Sequence, residues 1–300
     1  MRLKTIFVGP TIGLRSGWRL LIFLAIVIAL QAVLQEIVLL VLRARGIVEP
    51  EGLSAVVFLV ADTITLAGVL AASWIMAKWE HRRLADYYLL GKNVFGRKFW
   101  EGVLFGFAGV SLLILLIFLA GGYSPGSLAL HGAALARATL LWLLASLAIG
   151  FAEEYLFRGY PQFILAQGMG FWPAAFLISF LFGALHYFTK PYERWPDWAS
   201  TGLLALLICL TLWRNGDLRF AVGFHAAFDF GAIFIYSGPN GGQFAPDRLL
   251  TATFHGSDWL TGGKLGPEAS LLVFPVIATM FLMFHVLYRA SGEKENSYGE

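Results

Sequence analysis

Eight runs of mostly apolar residues fix the kind of fold this chain can take. A helix that crosses the hydrocarbon core of a bilayer needs about 20 such residues, with a range of roughly 17–25. The runs are Trp18–Leu42, Leu53–Ala77, Phe99–Ala120, Ala138–Leu165, Phe171–Tyr187, Ala199–Trp213, Phe220–Tyr236 and Ala269–Tyr288, of which the sixth and seventh are short. Charge is scarce around them: 14% of 300 residues are charged and 58% are hydrophobic, whereas a soluble domain carries about 25% charged residues. Disorder, collagen and coiled coil are excluded by the same balance. The expected fold is all-α, a polytopic membrane bundle of about eight transmembrane helices.

Lysine and arginine placement orients the bundle. With the N-terminus on the cytoplasmic side, the inner segments hold 14 of these residues and the outer segments 7, and basic residues favour the cytoplasmic face. Both termini are therefore expected inside, as in an integral protein of a bacterial cell membrane. The net charge of +3 reads as this loop bias rather than as a nucleic-acid site. In particular Arg82, Arg83, Arg97 and Lys98 mark a cytoplasmic loop at anionic lipid. The first run is expected to be an uncleaved anchor, because no small-residue cleavage site follows it. The single Cys209 lies in an apolar run with no intrachain partner. Residues 237–268 read as a long outer loop rich in glycine, and the terminal SGEKENSYGE as a frayed tail.

Ionisable residues inside spans are costly and mark function by default. Most of the spans are clean, so three clusters stand out: Glu153, Glu154 and Arg158 in the fourth, His186 at the end of the fifth, and His225 with Asp229 in the seventh. Glu154 and Arg158 stand four apart, acid first, on one helix face where they can pair. Glu153 is rotated about 100° away, which leaves one carboxylate free to act as a general base. His225 and Asp229 also share a face. Pro161 should kink the fourth helix through the carbonyl of Phe157. Counted from the inner ends of the spans at about 1.5 Å per residue, His225 lies roughly 8 Å up, Glu153 roughly 18 Å and His186 roughly 22 Å.

Taken in order, Glu153-Glu154-x-x-x-Arg158, Phe182-x-x-x-His186 and His225-x-x-x-Asp229 resemble the three motifs of the CAAX prenyl protease and bacteriocin-processing family, the Abi intramembrane proteases. The likeness covers about residues 137–237. It divides the chain into N-terminal transmembrane helices with a basic loop (1–136), a catalytic core (137–237), and an outer loop, last helix and tail (238–300). The resemblance implies hydrolysis of a peptide bond in a membrane-associated protein or peptide. Glu153, with His186, would activate a water, while Glu154 and Arg158 would hold the site in shape. His225 and Asp229 would orient substrate or stabilise the oxyanion. The best-studied eukaryotic relatives have Asn at the last position; an ionised Asp229 would repel an oxyanion, so either it is protonated or its job is to hold His225.

No cofactor follows from the sequence, although Glu153, His186, His225 and Asp229 are ligand types that admit a divalent metal such as zinc, which would make the enzyme a metalloendopeptidase. No HExxH motif is present. The rival readings are a catalytically silent membrane scaffold or regulator of the same fold, and a proton-coupled transporter; the transporter lacks the paired broken helices expected of one. Among weaker signals, Gly122-Tyr123-Ser124-Pro125-Gly126 reads as a turn rather than a nucleophile elbow. Gly102-x-x-x-Gly106 reads as helix packing. Asp62 and Glu36 read as polar contacts within spans, and His81, His131, His255 and His285 have no partner at metal spacing.

Overall fold

Glycines facing backbone decide how the central helices meet. In the computed structural model, which describes residues 13–46, 52–89, 93–192 and 194–288, α3 (Arg97–Leu119) packs most extensively against α8 (Arg219–Asp229). A Cβ at Gly102 would run into the backbone of Phe220, one at Gly106 into that of Phe224, and one at Gly223 into that of Phe99. The Gly102/Gly106 pair is thus an intrachain packing surface, where small residues let two backbones approach. On its other side α8 meets α4 (Gly132–Arg158), with Gly150 close to Val222 and Ala226. Clamped between α3 and α4, α8 has its residue 225 set directly against residues 153 and 154.

Around this centre, α1 (Ser16–Ala44) packs on α2 (Ala55–Glu80), and α2 on α4. Beyond α4 follow α5 (Tyr160–Met169), α6 (Phe171–Thr189) and α7 (Trp195–Asn215), with α6 packed on both neighbours. Near the C-terminus lie the short α9 (Asp258–Thr261) and the final helix α10 (Val273–Leu287). Large apolar side chains such as Leu104 and Phe188 remain exposed, which is the surface a lipid environment covers. The chain is a polytopic all-α bundle and an integral membrane protein.

Among the described residues six helices are long and apolar enough to cross a membrane, two fewer than the eight apolar runs. The last run is a 15-residue helix. The seventh stops being α-helical at Asp229 and continues as a π-helical stretch, Phe230–Ile235. The sixth is longer than its apolar core suggests, because Pro196 suits a first helical turn and Gly216, at φ 73°, closes the last one. The fourth breaks earlier than expected. α4 ends at Arg158, Gly159 carries the bend, and Pro161 sits in the first turn of α5 instead of inside one kinked helix.

The segment after Tyr236 is a folded cap rather than an open loop. Its strand β2 (Thr253–Phe254) pairs antiparallel with β1 (Tyr123–Ser124), so GYSPG contributes one strand of a pair as well as turns. Asp247 accepts from Trp142 Nε1 at 2.8 Å, and Arg194 pairs with Asp258 at 3.2 Å. Ser200 Oγ donates to the carbonyl of Glu268 at 2.8 Å. The SGEKENSYGE tail lies outside the described residues.

Candidate active site

Glu154 is the hub of the site. Its side chain and that of Arg158 are both 0% exposed, and Arg158 Nη1 donates to Glu154 Oε1 at 3.4 Å across one helical turn. The same oxygen accepts from His225 Nδ1 at 2.7 Å, the shorter of the two bonds. The guanidinium of Arg158 also lies over the Phe182 ring, 4.5 Å from its centroid, which gives its flat face a partner where no oxygen is available. One carboxylate therefore ties the first motif to the third, and its arginine leans on the second.

Glu153 faces a different environment. Its Oε2 stands 3.6 Å from His225 Nε2 and has no hydrogen-bond partner among the described residues. Asp229 Oδ2 approaches the same nitrogen at 3.5 Å. His225 is thereby bracketed, with Glu154 at one ring nitrogen and Glu153 and Asp229 at the other. His186 is fixed separately: its Nδ1 donates to the carbonyl of Phe182 at 2.9 Å, since a carbonyl can only accept. In the neutral ring this leaves Nε2 as a lone-pair acceptor. His186 and Glu153 share no hydrogen bond, yet both line one cavity of about 350 Å³. That volume falls at the lower end of the range for ligand pockets.

All three clusters are brought together, and the early break at Gly159 explains why the depth count failed to align them. Glu153 is five residues from the end of α4, about 7.5 Å, and His225 is six residues into α8, about 9 Å. α6 begins only after α5 and packs back along it, so its 22 Å climb to His186 is offset by roughly 15 Å. The three levels then nearly coincide.

The cavity also contains residues that the spacing did not mark as site residues. Asp62 of α2 lines it, as do Lys190, Asn240 and Glu268. Asp62 carried a signal, an acid within a span; Glu268 and Asn240 carried none, because only the folded cap brings them in. The Glu268 carboxyl is pushed up to about 7 by burial, an effect Asp229 and Asp197 add to and Lys190 and His225 oppose. Glu36, by contrast, is exposed.

The metal reading does not fit this arrangement. Among the described residues no three His, Cys, Asp or Glu side chains are grouped as they would be to hold a metal ion. His225 commits Nδ1 to Glu154, and its Nε2 is directed at two carboxylates rather than sharing a centre with them.

Residues 135–231 match the family model described as Rce1-like, type II CAAX prenyl endopeptidase. This segment is similar to the CAAX prenyl protease family. It holds Glu153, Glu154, Arg158, His186, His225 and Asp229, and the match supports CAAX-type intramembrane protease activity. No curated protein and no solved structure matches the chain.

Proposed function

We propose that this protein is an intramembrane endopeptidase in which the Glu153 carboxylate activates water. The observation that carries the reading is the contrast between the two adjacent glutamates. Each keeps one oxygen without a hydrogen-bond partner among the described residues, but Glu154 is 0% exposed, bound through Oε1 by Arg158 and His225 and absent from the cavity wall, whereas the Glu153 side chain is 26% exposed and lines the cavity. In the proposed step Glu153 takes a proton from water, assisted by hydrogen bonding of that water to His186 Nε2. The water oxygen forms a bond to the peptide carbonyl carbon. The C–N bond then breaks as Glu153 passes its proton to the leaving amine, giving one amine and one carboxylic acid, which releases its own proton to become the carboxylate. Glu154, Arg158 and Asp229 act as positioning residues that hold His225 against the substrate.

The substrates expected are membrane-associated peptides or proteins, and both termini of the enzyme are expected on the cytoplasmic side. Hydrolysis of quenched peptides by the purified protein in ¹⁸O-water tests the reaction class. One ¹⁸O should enter the new C-terminal carboxylate per bond cut. Absence of cleavage across a broad peptide panel would refute the reading.

A further inference from the structure

The cavity contains more carboxylate than hydrolysis at Glu153 uses. Asp62 comes from α2 and Glu268 from the turn Pro267–Ala269, and both line the cavity with Glu153 and Asp229. Both lie outside residues 135–231, the segment shared with the family. Neither side chain makes a hydrogen bond or ion pair with another described residue. Asp62 is within electrostatic reach of Glu153, Asp229 and His225, and Glu268 within reach of Lys190, Asp229, Asp197 and His225. Four carboxylates thus line the cavity against Lys190 and the two imidazoles of His186 and His225. With all four ionised the balance is negative even if both rings are charged, and with either ring neutral the excess grows.

A carboxylate held away from bulk water needs a cation or several donors. A peptide backbone offers one N–H per residue and otherwise acceptors, so it cannot satisfy this lining alone. We propose that Asp62 and Glu268 are specificity-determining residues that select peptides carrying a lysine or arginine side chain close to the scissile bond. The inference rests on the protease reading of this cavity.

The surroundings suit such a side chain. Phe58 and Ala61 stand beside Asp62, giving an apolar wall for the methylene stem of a long cationic residue. Glu268 is presented from a fixed cap, because Ser200 Oγ holds its carbonyl at 2.8 Å. The upward shift of the Glu268 carboxyl to about 7 means that an arriving cation completes its ionisation, so selectivity should sharpen above neutral pH.

The test uses three fluorescent peptides that differ at one position beside the scissile bond: Lys, Gln or Glu. Cleavage is followed with the wild-type protein in detergent, and binding with Glu153→Gln, so that affinity is read without turnover. The Lys peptide should bind at least about tenfold more tightly than the Gln peptide, equivalent to about 1.4 kcal/mol, and the Glu peptide more weakly than either. Asp62→Asn and Glu268→Gln, which keep shape and remove charge, should each cut the Lys-over-Gln ratio several-fold. Equal affinities for the Lys and Gln peptides, or a ratio that survives the double substitution, would overturn the proposal. A preserved ratio with no cleavage by the wild type would instead refute the protease reading and leave the cation site standing.

Discussion

Arg158→Ala isolates the energetic centre of the site. Arg158 and Glu154 are both 0% exposed and 3.4 Å apart, and breaking such a buried pair from one side costs about 3–5 kcal/mol. The bond from His225 to Glu154, at 2.7 Å, survives, so the carboxylate is not left wholly unpaired; relative to that case it offsets about 1.5–3 kcal/mol, the value of a hydrogen bond to a charged group. The stacking of Arg158 over Phe182 at 4.5 Å is lost as well, worth roughly 2 kcal/mol when desolvated. A net loss near 4 kcal/mol corresponds to a fall in Tm on the order of 10 °C. The assay is thermal unfolding in detergent read by a thiol-reactive dye, because Cys209 is the single cysteine of the chain and is buried. Glu154→Gln combined with Arg158→Met should recover much of the loss, since it removes both charges. A Tm for Arg158→Ala within about 1 °C of wild type, well below the shift expected from 1 kcal/mol, would refute the buried pair.

Three further outcomes follow from the packing, the cap and the charge bias. Gly106→Leu should lower Tm and abolish cleavage together, because its side chain meets the Phe224 backbone one residue before His225; a fully active, stable variant would contradict the α3–α8 contact. The raised Glu268 carboxyl means the folded state binds a proton the unfolded state has released between about 4.5 and 7. Its contribution to stability is therefore present below that window and lost as pH rises through it, so Glu268→Gln should flatten the fall in Tm from pH 5 to 8, and an unchanged slope would count against it. Reporter fusions after Glu300 should be active only on the cytoplasmic side; activity on the outer side alone would reverse the assigned topology.

The bundle was legible because hydrophobic length is a local property, and so were the site clusters, because an acid or imidazole in an apolar run has few innocent uses. Glu153, Glu154, His186 and His225 could be named from spacing and from likeness to a family. Their convergence could not. It depends on α4 ending at Arg158 rather than running to Leu165, a matter of one glycine bend, and on glycines that let α8 sit against α3 and α4. The π-helical stretch after Asp229 is set by tertiary packing and has no sequence period of its own. Glu268 was invisible for a similar reason: it reaches the cavity through the folded cap, held by Ser200 some 68 residues earlier. Asp62 was visible as an anomaly, but only the packing of α2 on α4 shows which cavity it lines.

Cleavage by Glu153→Gln is the most direct measurement of the catalytic assignment. Glutamine keeps the size and hydrogen-bonding reach of the side chain, and it is cheaper to bury than an ionised carboxylate, so Tm should hold or rise. It cannot take a proton from water, so the rate should fall by at least about a hundredfold on every peptide the wild type cuts. A stable Glu153→Gln protein that cleaves at the wild-type rate would contradict the assignment of Glu153 as the base.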